Sequence, residues 1–271
     1  MRLGLSSYTY VWSIGVPGYQ QPASPLTILK LLERAAHLGI RVVQLADNLS
    51  FETLSQPALR LVRWRAGELG IDLEVGLCGL SRERIQRGLA LASQLGSPIL
   101  RLVLDTDQLR PTPNEVVSTL AEMMPACQRA HVTLAIENHD RFDAATLQSI
   151  LQAVGSDSLG ICLDTANSIG CVQSVDCLLD RLGPHVVNVH LKDYCVFRPP
   201  HNKGFVVEGR AAGQGQLDIP ALLARLTSLG RDPSVILELW PPPQATLALS
   251  MELESAWAEE SIRYLRRFLS E

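Results

Sequence analysis

Four segments of the chain finish an apolar run on a residue that can bind a proton or a metal: Leu134-Ala135-Ile136-Glu137, Ile161-Cys162-Leu163-Asp164, Val187-Asn188-Val189-His190 and Ile236-Leu237-Glu238. An ionised carboxylate at the end of a buried strand is costly to desolvate unless it is paired, hydrogen-bonded or coordinated. If these runs are neighbouring strands, three carboxylates and one imidazole point into one volume, and a cation is the simplest partner that stabilises them together. Three oxygen donors and one nitrogen suit Mn2+, with Mg2+, Co2+ or Zn2+ as alternatives, and the absence of thiolate partners argues against a structural zinc site. Ordinary ion pairs at a rim explain any one of these residues, but they account poorly for all four at once.

The elements that must carry them are legible as an alternation. Eight short runs rich in Val, Ile and Leu read as strands: Leu3 to Tyr8, Val42 to Asp47, Leu73 to Cys78, Ile99 to Leu104, Val132 to Asn138, Leu159 to Thr165, Val186 to Asp193 and Val235 to Trp240. Between them lie segments with helical spacing of apolar residues, for example Leu26 to Leu38, Ala58 to Leu69, Arg82 to Leu95, Asn114 to Ala130, Ala144 to Ala153 and Ile219 to Leu229. Gly39, Gly70 and Gly230 stand where left-handed helix caps are needed. An amphipathic stretch from Met251 to Leu269 is placed to close a ring. The alternation predicts a single-domain α/β protein, a (β/α)8 TIM barrel over residues 1–271. A doubly wound open sheet is the rival, but Ser6-Ser7-Tyr8-Thr9 is not the Gly-rich phosphate turn that such a sheet places after its first strand.

In such a barrel the carboxyl ends of the strands build the active site. Alternation along a strand puts His139 on the face of Glu137, and Lys192 on the face of His190. His139 is expected either to bind substrate or to orient Glu137, and Lys192 to hold an anionic group or act as an acid, with pairing to Asp193 or a ligand carboxylate as its alternative. Arg101 alternates with Val103 and can face inward, with a stray salt bridge as its expected role. The segment from Lys192 to Arg210 carries Lys192, Arg198, His201, Lys203 and Arg210 against Asp193 and Glu208. This local positive charge suggests that a substrate carboxylate or phosphate binds there, with a solvated loop whose charges face water as the alternative. Arg210 is favoured because Gly213 and Gly215 allow the backbone to approach closely.

Composition narrows the function classes. With 271 residues, 46% of them hydrophobic, the chain can bury a large core. A net charge of -4 provides no broad field for nucleic acid or an anionic membrane. The six cysteines are scattered without a Cys-x-x-Cys pair, so reduced thiols are expected. No signal-peptide core or spanning apolar run is visible, which makes the cytoplasm the expected location. A homo-oligomer is compatible with the sequence.

Ile136-Glu137-Asn138-His139, Leu163-Asp164-Thr165-Ala166-Asn167, His190-Leu191-Lys192-Asp193 and Gly213-Gln214-Gly215-Gln216-Leu217-Asp218 together resemble the xylose isomerase-like TIM-barrel superfamily over essentially the whole chain. That superfamily includes sugar isomerases, ketose 3-epimerases, inosose dehydratases and endonuclease IV. The resemblance implies that Glu137, Asp164, His190 and Glu238 bind one metal. It also implies that Glu137 and Glu238 transfer protons on opposite faces of a ketose, sugar-acid or sugar-phosphate substrate. Asn167 stands where many epimerases carry a histidine that contacts the sugar, so it becomes a substrate-binding candidate with altered chemistry. A metal bound to a carbonyl and its neighbouring hydroxyl stabilises an enediolate, the intermediate of isomerisation and epimerisation. The loop Arg198-Pro199-Pro200-His201-Asn202-Lys203-Gly204-Phe205 with Glu208-Gly209-Arg210 resembles a bacterial subgroup that includes 3-oxo-isoapionate decarboxylase. The alternative it implies is decarboxylation of a 3-oxo sugar acid. A nuclease of the endonuclease IV kind needs a three-metal cluster rich in histidine, and His37, His131 and His185 fall away from the strand ends. A non-catalytic sugar-binding barrel is the remaining rival.

Overall fold

The apolar runs form strands because each is buried on both faces, which a parallel sheet wrapped by helices demands. The computed structural model describes residues 1–49 and 51–270. Its strands are β1 (Arg2–Ser6), β2 (Val42–Leu45), β3 (Asp72–Cys78), β4 (Ile99–Val103), β5 (Thr133–Glu137), β6 (Leu159–Asp164), β7 (Val186–Leu191), β8 (Asp193–Phe197), β9 (Val206–Arg210) and β10 (Ser234–Leu237). Eight of them close a parallel barrel in the order β1-β10-β7-β6-β5-β4-β3-β2, and β8 and β9 pair separately. All eight strand runs read from the sequence are present; β3 is one residue longer, beginning at Asp72, and the other seven are trimmed at one or both ends.

The helices are α1 (Val11–Ile14), α2 (Ile28–His37), α3 (Gln56–Glu68), α4 (Arg82–Leu95), α5 (Pro113–Ala130), α6 (Ala144–Val154), α7 (Val175–Leu182), α8 (Ile219–Ser228) and α9 (Leu247–Leu265). Their starts reflect local chemistry, since the side chains of Thr27, Ser55, Ser81, Thr112, Asp143, Ser174, Asp218 and Thr246 each cap a helix by accepting a backbone N–H. Gly39, Gly70 and Gly230 adopt the expected left-handed conformation, with φ of 68°, 65° and 70°. α4 shows how a helix docks: Ile85, Leu89 and Ala92 recur at helical spacing and are buried. The helical segments read from the sequence do not include α7, although Ser174 caps it and Val175, Leu178, Leu179 and Leu182 are buried. Among the described residues no helix is long and apolar enough to cross a membrane.

Two irregularities shape the rim of the barrel. Between β6 and β7 the register shifts by a residue at Ile161/Cys162, after which Asp164 stands opposite His190. The segment after β7 is an antiparallel hairpin, in which Asp193 pairs with Arg210 and Phe197 with Val206. Its return is tied to Asp193, whose carboxylate accepts backbone N–H bonds from Gly213 (2.8 Å), Gly215 (2.9 Å) and Leu217 (3.2 Å). A Cβ on Gly215 would collide with Asp193 Oδ1, so this position needs a residue without one. Gly215→Ala is therefore expected to break a buried, charge-assisted set of bonds and to lower stability by about 2 kcal/mol. Urea denaturation measures this, and an unchanged midpoint would show that the carboxylate does not anchor the hairpin.

Candidate metal centre

Glu137, Asp164, His190 and Glu238 lie at the carboxyl ends of β5, β6, β7 and β10, which are consecutive around the barrel. All four are buried. His190 Nδ1 is 3.4 Å from Glu137 Oε2, 3.5 Å from Glu238 Oε1 and 3.9 Å from Asp164 Oδ2. These four atoms have almost no solvent contact and no well-aligned hydrogen bond, although Asp164 Oδ2 and Glu137 Oε2 are ion-paired with Lys192 and Arg101. Buried polar atoms are rarely left in that condition, and here they converge. Asp164, His190 and Glu238 each offer a ligand atom within 4.8 Å of the others. The set fits a divalent cation: hard oxygen donors, one imidazole and excess negative charge.

Each carboxylate is aimed by a bond to its outer oxygen, and the inner oxygens of Glu137 and Asp164 also carry an ion pair, with Arg101 and Lys192 respectively. Asp164 Oδ1 accepts the backbone N–H groups of Ala166 (2.8 Å) and Asn167 (2.9 Å). The Asn138 side chain clasps the backbone of Asp164, accepting from its N–H at 2.7 Å and donating to its carbonyl at 2.9 Å. Asn167 Nδ2 donates to Glu137 Oε1 at 2.9 Å. Lys192 Nζ lies 3.0 Å from Glu238 Oε2 and 2.6 Å from Asp164 Oδ2. The imidazole is oriented from behind, because His190 Nε2 and Gln44 Oε1 are 2.7 Å apart.

Arg101 is the largest departure from expectation. Its guanidinium is buried, with Nε 3.1 Å from Glu137 Oε2 and an Nη 3.4 Å from Asp47 Oδ1. Gly76 stands beside it on β3, and a Cβ there would fall 2.9 Å from Arg101 Nε. Arg101 thus does form ion pairs, but with a residue of the centre. The signal that singled out the four candidate ligands, a charge in an apolar strand, was present for Arg101 too, but its partners lie on other strands. Burial by itself raises the pKa of Glu137; Arg101, His190 and Lys192 outweigh it and hold the carboxylate below its usual range. Glu238 is likewise held low, with burial opposed chiefly by His190 and Lys192. Cys162 lies beneath the centre, where burial pushes its thiol up to about 11, and it donates to Asn188 Oδ1 at 3.2 Å.

Above the centre opens a cavity of about 940 Å³, lined in part by Tyr8, Trp12, His139, Asn167, Lys192 and Trp240. Tyr8 and Asp47, which sequence reasoning did not single out, meet there through a 3.0 Å hydrogen bond from the phenol. His139 faces this space, but its ring contacts Asp140 at 2.6 Å rather than Glu137. The four cationic candidates of the loop do not reach it. Arg198 lies over the Phe205 ring at 4.4 Å, His201 and Lys203 are exposed at the hairpin turn, and Arg210 pairs with Glu208. None of the four lines the cavity. The reason is geometric: antiparallel pairing of β8 with β9 carries their charges along a ribbon, and the close approach that Gly215 permits is used by Asp193.

Fold and site together define a (β/α)8 barrel whose strand ends bear a buried three-carboxylate, one-histidine centre. Residues 32–268 match the Xylose isomerase-like TIM barrel family, and the chain belongs to it. It is 32% identical to a 3-oxo-isoapionate decarboxylase of Pectobacterium atrosepticum over 98% of this chain and 95% of that protein. Among solved structures it resembles a D-psicose 3-epimerase with D-tagatose from Clostridium cellulolyticum H10, at TM-score 0.75, 14% identity and full coverage of both chains (100% each). It also resembles a xylose isomerase-like TIM barrel protein from Mycobacterium smegmatis in complex with magnesium, at TM-score 0.66 and 13% identity over 97% of each chain.

Arg101→Met leaves Glu137 and Asp47 without their buried counter-charge and is expected to destabilise the metal-free protein by about 3–5 kcal/mol in urea denaturation. Depressed folded-state pKa values give a stability contribution that is complete above the ordinary carboxylate value of 4.5 and is lost as pH falls through the folded values. The variant should therefore begin to lose stability at a higher pH than the wild type during acid titration. Superposable acid profiles would show that Arg101 does not hold Glu137 ionised.

Proposed function

We propose that the chain is a divalent-metal-dependent enzyme of carbohydrate metabolism that works through an enediolate, and that its reaction is decarboxylation of a 3-oxo sugar acid. The observation that carries this reading is Lys192. It is the sole lysine or arginine among the described residues lining the cavity, and its ammonium is seated on Asp164 and Glu238. A divalent cation held by Glu137, Asp164, His190 and Glu238 would supply Lewis acidity to a ketone oxygen and so lower the energy of the enediolate. Lys192 is placed to pair with the carboxylate of a bound acid and then to return a proton. The bond between the carboxyl carbon and its neighbour breaks, its electron pair moves toward the ketone oxygen, carbon dioxide leaves, and one proton is added at carbon.

This chemistry needs one proton donor, whereas epimerisation needs proton exchange on two faces of the substrate. The environment of Glu137 supports the one-donor reaction, since Asn167 occupies one carboxylate oxygen and Arg101 stands against the other. The relative named as a decarboxylase supports it as well. A single cation in a cavity walled by Tyr8, Trp12 and Trp240 suits a carboxylate better than a phosphate. Ketose isomerisation or epimerisation through the same enediolate is the second reading. It is favoured by the position of Glu137 and Glu238 at the two ends of the ligand arc, on β5 and β10.

Mn2+-loaded protein presented with 3-oxo sugar acids, ketoses and ketose phosphates in deuterated water distinguishes these readings by NMR. The expected result is carbon dioxide release from a sugar acid with one deuteron in the product, and a fall in kcat/KM of about 10²- to 10⁴-fold for Lys192→Met. An inverted or rearranged ketose without carbon dioxide establishes the second reading. If no substrate turns over and the protein binds no stoichiometric metal, both are wrong.

A further inference from the structure

Beneath the centre lies a second polar layer that the decarboxylation chemistry does not use. Gln44 on β2, Glu74 on β3, Asn188 on β7 and Ser234 on β10 point into the barrel, and the first three are buried. Gln44 Nε2 donates to Glu74 Oε2 and to Asn188 Oδ1, both at 3.1 Å. Asn188 Nδ2 donates to Glu74 Oε2 at 2.9 Å and to Ser234 Oγ at 2.8 Å, and Ser234 Oγ donates to Glu74 Oε1 at 2.5 Å. A side chain as costly to bury as Glu74 is rarely placed in a barrel interior without a task.

The donor count fixes how these amides face. Glu74 Oε2 accepts, so both Gln44 and Asn188 must turn their NH2 groups toward it; turning either one round would set oxygen against oxygen. Gln44 Oε1 is then the atom left to meet His190 Nε2, and an oxygen there accepts a hydrogen bond from the ring N–H. The proton is thereby held on Nε2, and Nδ1 is the nitrogen presented to Glu137, Asp164 and Glu238.

The geometry points to Glu74 as a positioning residue that acts through Gln44, with Asn188 and Ser234 as its braces, to dictate which nitrogen of His190 is offered to the metal. This inference rests on the reading of His190 as a ligand. Removing the Oε2 acceptor that both amides share frees them to turn, lets Gln44 present its NH2 to the ring, and drives the ring proton to Nδ1, where it competes with the metal. Partners of this kind alter metal affinity about 10- to 100-fold.

The test compares wild type with Glu74→Gln, reading Mn2+ affinity by calorimetry and His190 ring protonation by long-range proton–nitrogen NMR on Zn2+-loaded, histidine-labelled protein. The expected wild-type spectrum has the proton on Nε2 and Nδ1 as the ligand nitrogen. Glu74→Gln should show Nδ1 protonation or a mixture and bind Mn2+ about 10- to 100-fold more weakly, with a cooperative thermal transition retained. A folded Glu74→Gln with the wild-type ring spectrum and affinity overturns the proposal. If that variant does not fold, Gln44→Met, which keeps the side-chain length and removes the acceptor, is read the same way and with the same overturning result. The ring is also observed without metal: a wild type that holds its proton on Nε2 against Gln44 yet binds no metal refutes the metal reading while supporting the relay.

Discussion

Everything in this barrel answers to the cost of gathering three carboxylates and an imidazole where water does not reach. Glu137, Asp164 and Glu238 are each at most 5% exposed, and their inner oxygens crowd His190 Nδ1. Like charges so placed are sustained by opposite charge and by rigid geometry. Arg101 and Lys192 supply part of the charge, and a divalent cation fits the remainder. Rigidity comes from bonding one oxygen of each carboxylate locally, so that the other has a single direction in which to point. Asp164 shows this most fully, being held through its backbone by Asn138 and through Oδ1 by the adjoining turn.

The closed parallel barrel is the scaffold that makes such crowding repeatable. Consecutive strands deliver their carboxyl ends to the same rim, and helices outside take up the apolar faces. The shift between β6 and β7 brings Asp164 level with His190, and the missing side chain of Gly76 gives the guanidinium of Arg101 room against Glu137. Under this rim the layer of Gln44, Glu74, Asn188 and Ser234 has its hydrogen bonds paired, so it stiffens the floor of the centre.

The hairpin of β8 and β9 shows how charge in sequence differs from charge in space. Arg198, His201, Lys203 and Arg210 cluster along the chain, yet pairing of the two strands sends them to the ribbon, its turn and its flank. What the hairpin offers the cavity is Val207, beside the aromatic wall of Trp12 and Trp240. Among the described residues the one lysine or arginine lining the cavity is Lys192, which belongs to the strand end and is therefore held by the barrel itself.

From the sequence alone came the eight strands, most of the helices and the four residues that face one another at the rim. Each is a local signal: an apolar run long enough to be a buried strand, a capped periodic segment, or a charge standing where burial forbids one without a partner. Local signals say that Glu137, Asp164, His190, Glu238 and even Arg101 must have partners, because desolvation cost is a property of the residue and its neighbours in the chain. Which partner each one takes was decided by the tertiary structure. The pairing of Arg101 with Glu137, the relay from Glu74 through Gln44 to His190, and the diversion of the loop cations all depend on which strands lie side by side and in what register. Those are relations between residues as much as 146 positions apart, as His190 and Gln44 are, and no short-range pattern encodes them.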